Sequence, residues 1–258
     1  MARRKPQVAS RIDVDGFSIE VVRKRIKHVN LRVYPPDGRV RVSAPHTMPE
    51  RFVREVVRGR IEWIERQRAR FASVPVPVKL EYVSGEIVPV LGIPHVLRFV
   101  SVLPGSPPSS RATDLPARTP TDAERELTVS VPAHADLDER RRTLEKRLRQ
   151  VARTEFGTLT RAWAHEMGVP MTSVNVRRMT SRWGTCHVRT GKVFLNLALV
   201  TRPRECLTYV VVHELAHLIV PDHSREFWQT VERYLPEWRV AERRLAREPL
   251  WADPVWGR

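Results

Sequence analysis

The sequence predicts an α+β fold. A β-rich N-terminal part precedes a domain in which a small antiparallel sheet packs on a buried H-E-x-x-H helix. Three observations carry this. Short β-branched runs broken by Gly/Pro turns fill the first half. Helix-period apolar patterns take over from about residue 137. The most apolar of them, Pro203 to Val220, contains His213-Glu214-Leu215-Ala216-His217 and is too long for an ordinary strand.

Taken in order, Ser18 to Arg25 and Asn30 to Tyr34 read as strands. Pro35-Pro36-Asp37-Gly38 is a turn signal, and Arg39 to Ser43 returns as the partner strand. Pro49 and Glu50 open a helix ending near Phe71, whose Phe52, Val53, Val56, Val57, Ile61, Trp63 and Ile64 read as a core-facing stripe. A Val-Pro run at Val74 to Val78 leads to three short strands: Leu80 to Val83, Ile87 to Leu91 and Val96 to Val102. From 103 to 121 the chain is rich in Pro, Ser and Thr and reads as a flexible loop.

Leu127 to Val131 is a further strand. Leu137 or Asp138 then begins a long amphipathic helix through Leu144, Leu148, Phe156 and Trp163, terminated by Gly168-Val169-Pro170. Val174 to Met179 is a strand, with Lys192 to Asn196 as its antiparallel partner. These elements divide the chain into 1–78, a β-rich segment 79–132 and a domain 133–258.

The chain has 258 residues, enough for one large or two small cores, and a net charge of +16. Nearly all the excess is arginine, a skew that codon bias produces as easily as a binding surface; so large an imbalance still implies weak affinity for polyanions at low salt rather than sequence-specific nucleic-acid recognition. Met1 to Gln7 is basic with no apolar run behind it, and no stretch approaches a membrane span. A cytoplasmic protein without a membrane role is expected. The 2 cysteines make no disulfide framework, and Cys186 reads as a small buried apolar residue.

The chemistry gathers near the C-terminal end. On a helix, residues four apart stack on one face, so His213 and His217 present two imidazoles to one point. Glu214 is displaced roughly 100° around the helix, where it reaches a metal-held water without becoming a ligand. Pro221 ends the helix and turns the chain back, bringing His223 in as a third ligand. Ser224 caps a following helix with Phe227, Trp228, Val231 and Leu235 on its inner side. Catalytic zinc takes three protein ligands and keeps a fourth position open, so one Zn2+ is the expected cofactor and Glu214 the base.

These residues resemble the YgjP-like (SprT-related) zinc metallopeptidases. Arg182-Trp183-Gly184-Thr185-Cys186, Gly191 and Leu195-Asn196-Leu197 resemble the family's R-W-G-S-C stretch and the strand after it. Tyr209 to His217 and His223-Ser224-x-x-Phe227-Trp228 resemble its metal-binding core, and Pro236 and Leu245 match its closing segment. The resemblance is clear from Val174 to Leu245, with Thr185 where serine is usual. It implies a zincin-like domain, zinc on His213, His217 and His223, and Glu214 as base, and it says much less about substrate; a peptide or protein is the expected one.

Further candidates follow from position. Asn196 is placed either to polarise a substrate carbonyl or to hydrogen-bond local backbone, and Arg178 and Arg182 either to grip an anionic group or to stand as surface charges. His187 is close enough in sequence to the Trp-Gly-Thr-Cys turn to lie behind the ligands. Two other classes fit the same residues: a zinc hydrolase of nucleotides or phosphoanhydrides, and a basic zinc protein that docks on nucleic acid or a partner.

Overall fold

The computed structural model describes residues 9–75, 79–102 and 125–256. The basic segment 1–7, the Pro/Ser-rich segment 103–121 and residues 76–78 of the expected connector lie outside the described residues. The chain forms two compact units, 1–76 and 77–258. No helix among the described residues is long and apolar enough to cross a membrane.

The first unit is a four-stranded sheet with two helices on one face. Its strands are β1 (Ala9–Val14), β2 (Phe17–Lys24), β3 (Asn30–Tyr34) and β4 (Arg39–Pro45), in the order β1-β2-β4-β3. Ile12, Val14, Ile19, Val21, Val40 and Val42 alternate onto one face and bury against Val53, Val57 and Ile64. β1 was not expected. Its signal is Asp15-Gly16, both at positive φ, which is the two-residue turn that closes a hairpin.

The single helix expected from Pro49 to Phe71 is two, α1 (Glu50–Arg58) and α2 (Ile61–Ala72). Gly59 stands at the break, where a glycine weakens a helix interior by about 1 kcal/mol. Arg60 leaves helical geometry, with φ −125° and ψ 9°.

In the second unit, β5 (Ile87–Val90), β6 (Ile93–Val102) and β7 (Glu126–Pro132) form one sheet. The expected strand at Leu80 to Val83 is absent, and the cause is local. The amides of Glu81 and Val83 donate to the Glu86 carboxylate, and Tyr82 between them sits at φ 58°, so neither amide can feed a ladder. This sheet shares one hydrophobic core with α3 (Leu137–Glu166), the second sheet and the helices that follow. Asp136 caps α3 by accepting from the Glu139 amide.

The second sheet holds β8 (Ser173–Arg177), β9 (Gly184–His187) and β10 (Lys192–Asn196), in the order β8-β10-β9. β8 pairs with β10 in parallel, which corrects the antiparallel pairing expected from the sequence. The segment read as a Trp-Gly-Thr-Cys turn is β9, and β9 takes the antiparallel place beside β10. Having reversed once through β9, the chain re-enters as β10 in the direction of β8, so the sheet is mixed.

α4 (Arg204–Ala216) crosses this core and is buried nearly all round: Cys206, Leu207, Tyr209 to Val212 and Glu214 to Ala216 are all enclosed. It ends at Ala216 rather than Val220, because the amides of Ile219 and Val220 both turn back to the Ala216 carbonyl ahead of Pro221. α5 (Arg225–Tyr234) follows, and α6 (Trp238–Arg247), which was not expected, closes the unit with Trp238, Ala241 and Leu245 buried.

Candidate metal centre

The last turn of α4 and the first residues before α5 bring three histidines together. Each of His213, His217 and His223 offers a ligand atom, and these atoms all lie within 4.8 Å of one another. Nε2 of His213 and Nε2 of His223 are 3.1 Å apart. Two nitrogens on a tetrahedral zinc, each at about 2.0–2.1 Å, stand roughly 3.3 Å apart, so the spacing suits the ion. His217 Nδ1 lies 3.1 Å from the Pro221 carbonyl oxygen. A carbonyl only accepts, so Nδ1 carries the proton and Nε2 keeps its lone pair for a metal.

The turn that delivers His223 is held by Asp222, whose Oδ1 accepts from the Ser224 amide. Ser224 stands at the start of α5 as expected, but its hydroxyl makes no capping hydrogen bond. The hydroxyl is engaged by the Asp222 carboxylate instead.

Phe227, fully buried, lines the apolar side of the cluster. Its ring centre is 5.0, 4.6 and 4.8 Å from those of His213, His217 and His223. Trp228 stands 5.8 Å from His213 and 5.9 Å from His223, and stacks at 4.6 Å on Trp238, which stacks in turn on Tyr209. The sequence marks Phe227 and Trp228 as inner positions of a helix and, through the family resemblance, as part of the metal-binding core, and it marks Trp238 not at all. The aromatic pillar is a tertiary feature.

Burial sets the protonation of the group. His213 is pushed down to about 3 by desolvation and by the two neighbouring imidazoles. His217 is lowered by the same causes. Neutral imidazoles are the metal-binding form. Glu214, 6% exposed, is pushed up to about 8 by desolvation, with Arg182 pulling the other way.

Gly184 on β9 forms the wall against Glu214. A Cβ at position 184 would lie 2.5 Å from Glu214 Oε1 and 2.7 Å from its Cγ. Only glycine lets the β9 backbone come this close.

The remaining candidates separate. Asn196 is fully buried and its amide serves the backbone of the 179–183 loop. Nδ2 donates to the carbonyls of Met179 and Arg182, and Oδ1 accepts from the Ala198 amide. No atom is left to polarise a substrate carbonyl, so Asn196 shapes the loop that leads to Gly184. Arg178 donates to the Trp256 carbonyl at 3.1 Å and lies over the Trp256 ring, so it serves the C-terminal segment instead. Arg182 is exposed and acts electrostatically on Glu214. His187 packs edge-on to Phe194 rather than joining the cluster. The Cys186 thiol is pushed up to about 11 by burial and by Glu214, which keeps it protonated and unreactive at neutral pH.

These shifts fix a pH response for the metal-free protein. His213 takes a proton at 6.5 when unfolded and at about 3 when folded, so its contribution is present above 6.5 and lost as pH falls. Glu214 has the opposite sign. Its folded value of about 8 exceeds the ordinary 4.5, so stability is present below 4.5 and lost as pH rises through 8. Denaturant midpoints of chelator-stripped protein should rise modestly toward 6.5, where His213 and Glu214 offset each other and His217 adds to the rise, and decline from 6.5 to about 8. In Glu214→Gln the alkaline decline should vanish; its persistence would show that another group causes it.

The family model for the YgjP-like metallopeptidase domain matches residues 27–248. The chain belongs to the YgjP-like family. Two solved structures show partial likeness to this YgjP-like chain. The metallopeptidase zymogen of Pyrococcus abyssi abylysin is 25% identical, over 35% of this chain and 90% of that one, at a TM-score of 0.33. The metallopeptidase zymogen of Methanocaldococcus jannaschii jannalysin is 16% identical, over 36% and 95%, at the same TM-score of 0.33. At these scores neither carries an argument about this chain. No curated protein matches it.

Proposed function

We propose that this YgjP-like chain is a zinc-dependent metallopeptidase of the H-E-x-x-H-x5-H type, with its chemistry in 133–258. The observation that carries the proposal is the convergence of His213, His217 and His223 beside the buried Glu214. A zinc ion held there supplies a Lewis acid for the scissile carbonyl and makes a water acidic enough to lose its proton near neutral pH. His213, His217 and His223 are the residues that hold it. Glu214 accepts the proton of the attacking water and returns it to the leaving nitrogen.

The substrate is an extended peptide. β9 is the edge strand of its sheet and runs against α4, so a peptide paired on its free side would lie beside Glu214. The phosphoanhydride alternative would enlist arginines for phosphate, but Arg178 is engaged by Trp256, and this favours a peptide.

The test is cleavage of a peptide library with metal analysis. Activity lost on chelation and restored by zinc supports the proposal; cleavage that survives complete metal removal sinks it. Gly184→Ala provides a second check. It should lower kcat on the order of 10²-fold with zinc retained, because the new methyl displaces Glu214 while leaving the histidines alone. Unchanged kcat would remove Gly184 from the argument.

A further inference from the structure

Residues 1–76 carry most of the chain's net positive charge. They hold 18 Lys and Arg against 8 Asp and Glu, a net +10 of the total +16. The histidine cluster belongs to the other unit and draws on none of it.

Strand alternation sorts part of this charge onto one surface. Ile19, Val21, Val40 and Val42 point into the core, so their neighbours along each strand point away from it. In register, Arg11 faces Glu20, Glu20 faces Arg41, and Arg41 faces Arg32. One row of charged side chains thus crosses all four strands on the face turned away from α1 and α2. Beside the row, Tyr34 pairs in register with Arg39. The guanidinium carbons of Arg39 and Arg41 stand 5.5 and 5.3 Å from the Tyr34 ring centre.

Glu20 is engaged by Arg41 at 3.0 Å. Arg11, Arg32 and Arg39 are exposed and have no ion-pair partner among the described residues.

This combination selects a kind of partner. Exposed guanidinium groups with no carboxylate to answer them suit phosphates. A half-exposed aromatic ring flanked by guanidinium planes suits an unstacked base. A duplex hides its bases from such a ring. An anionic membrane calls for apolar side chains to insert, and the exposed large apolar residues of this unit, Phe52 and Val56, lie on α1 instead.

We propose that the arginine-bearing face of the N-terminal sheet binds single-stranded nucleic acid, with Arg11, Arg32 and Arg39 on phosphates and Tyr34 stacking a base. The peptidase chemistry is separate from this surface, so the two stand or fall independently.

The test uses the full chain and a fluorescein-labelled oligothymidylate, with binding read by anisotropy at salt from about 50 to 200 mM. Arg32→Gln with Arg39→Gln should weaken binding and reduce the slope of log K against log salt by about 1.4, two phosphates' worth for a single strand. Tyr34→Ala should weaken binding roughly 5- to 100-fold at every salt with the slope unchanged. Tyr34→Phe, which keeps the ring, should bind as wild type and guards against a folding defect. Three results would overturn the proposal: no binding at the lowest salt, binding indifferent to both kinds of variant, or equal competition by duplex DNA or phosphatidylserine vesicles.

Discussion

Glu214→Gln is expected to lower kcat on peptide substrates by about 10²–10⁴, the range for losing a general acid–base group, with KM little changed and zinc still bound. Glutamine keeps the shape of glutamate, so the close approach of Gly184 and the packing around position 214 survive. The donors of His213, His217 and His223 are untouched, and only the proton acceptor is lost. The control is His217→Ala, which removes one of three ligands and should lose the metal. Elemental analysis beside turnover separates the outcomes. Normal turnover in Glu214→Gln would show that the base lies elsewhere, whereas loss of zinc would make Glu214 part of the metal site.

The second large effect lies away from the metal. Asp253 has a fully enclosed side chain that pairs with Arg202 at 2.9 Å, accepts from the Thr201 hydroxyl at 2.7 Å, and takes the amides of Val255 and Trp256. Arg202 is only 5% exposed and lies over the Trp183 ring. Asp253→Ala leaves that guanidinium buried without its principal counter-charge and should cost about 3–5 kcal/mol. For a unit of this size the melting temperature should fall by roughly 6–20 °C in calorimetry. Replacing both partners by apolar residues, Arg202→Met with Asp253→Leu, should recover much of the loss, since no orphan charge remains. A drop under about 1 kcal/mol in Asp253→Ala would mean that water reaches the pair. The pair has a functional consequence too. Trp183, against Arg202, immediately precedes Gly184, so the segment at 253–256 helps hold the wall against Glu214. Asp253 lies beyond the family-matched residues 27–248, and Arg202 lies within them.

Local chemistry made much of the fold legible. β3 and β10 occupy the stretches where alternation and turn residues place them, and α3 begins at Leu137 behind its Asp136 cap. The misreadings have local causes as well. A single glycine divided α1 from α2, and the Glu86 carboxylate took the amides that Leu80 to Val83 needed for a ladder. β9 was hidden because Trp183-Gly184-Thr185-Cys186 has turn composition, and its pairing with β10 is a long-range event.

By itself the sequence determined which histidines come together, because helical periodicity and one proline are enough to gather His213, His217 and His223. Tertiary structure alone decided what surrounds them. It placed Gly184 against Glu214, set the aromatic pillar of Tyr209, Trp238 and Trp228 beside the histidines, and withdrew Asn196 and Arg178 from the site. The reason is range. Spacing along one helix follows from backbone geometry that every residue shares. Contacts between distant segments follow from how the whole core closes, and no window of sequence contains that information.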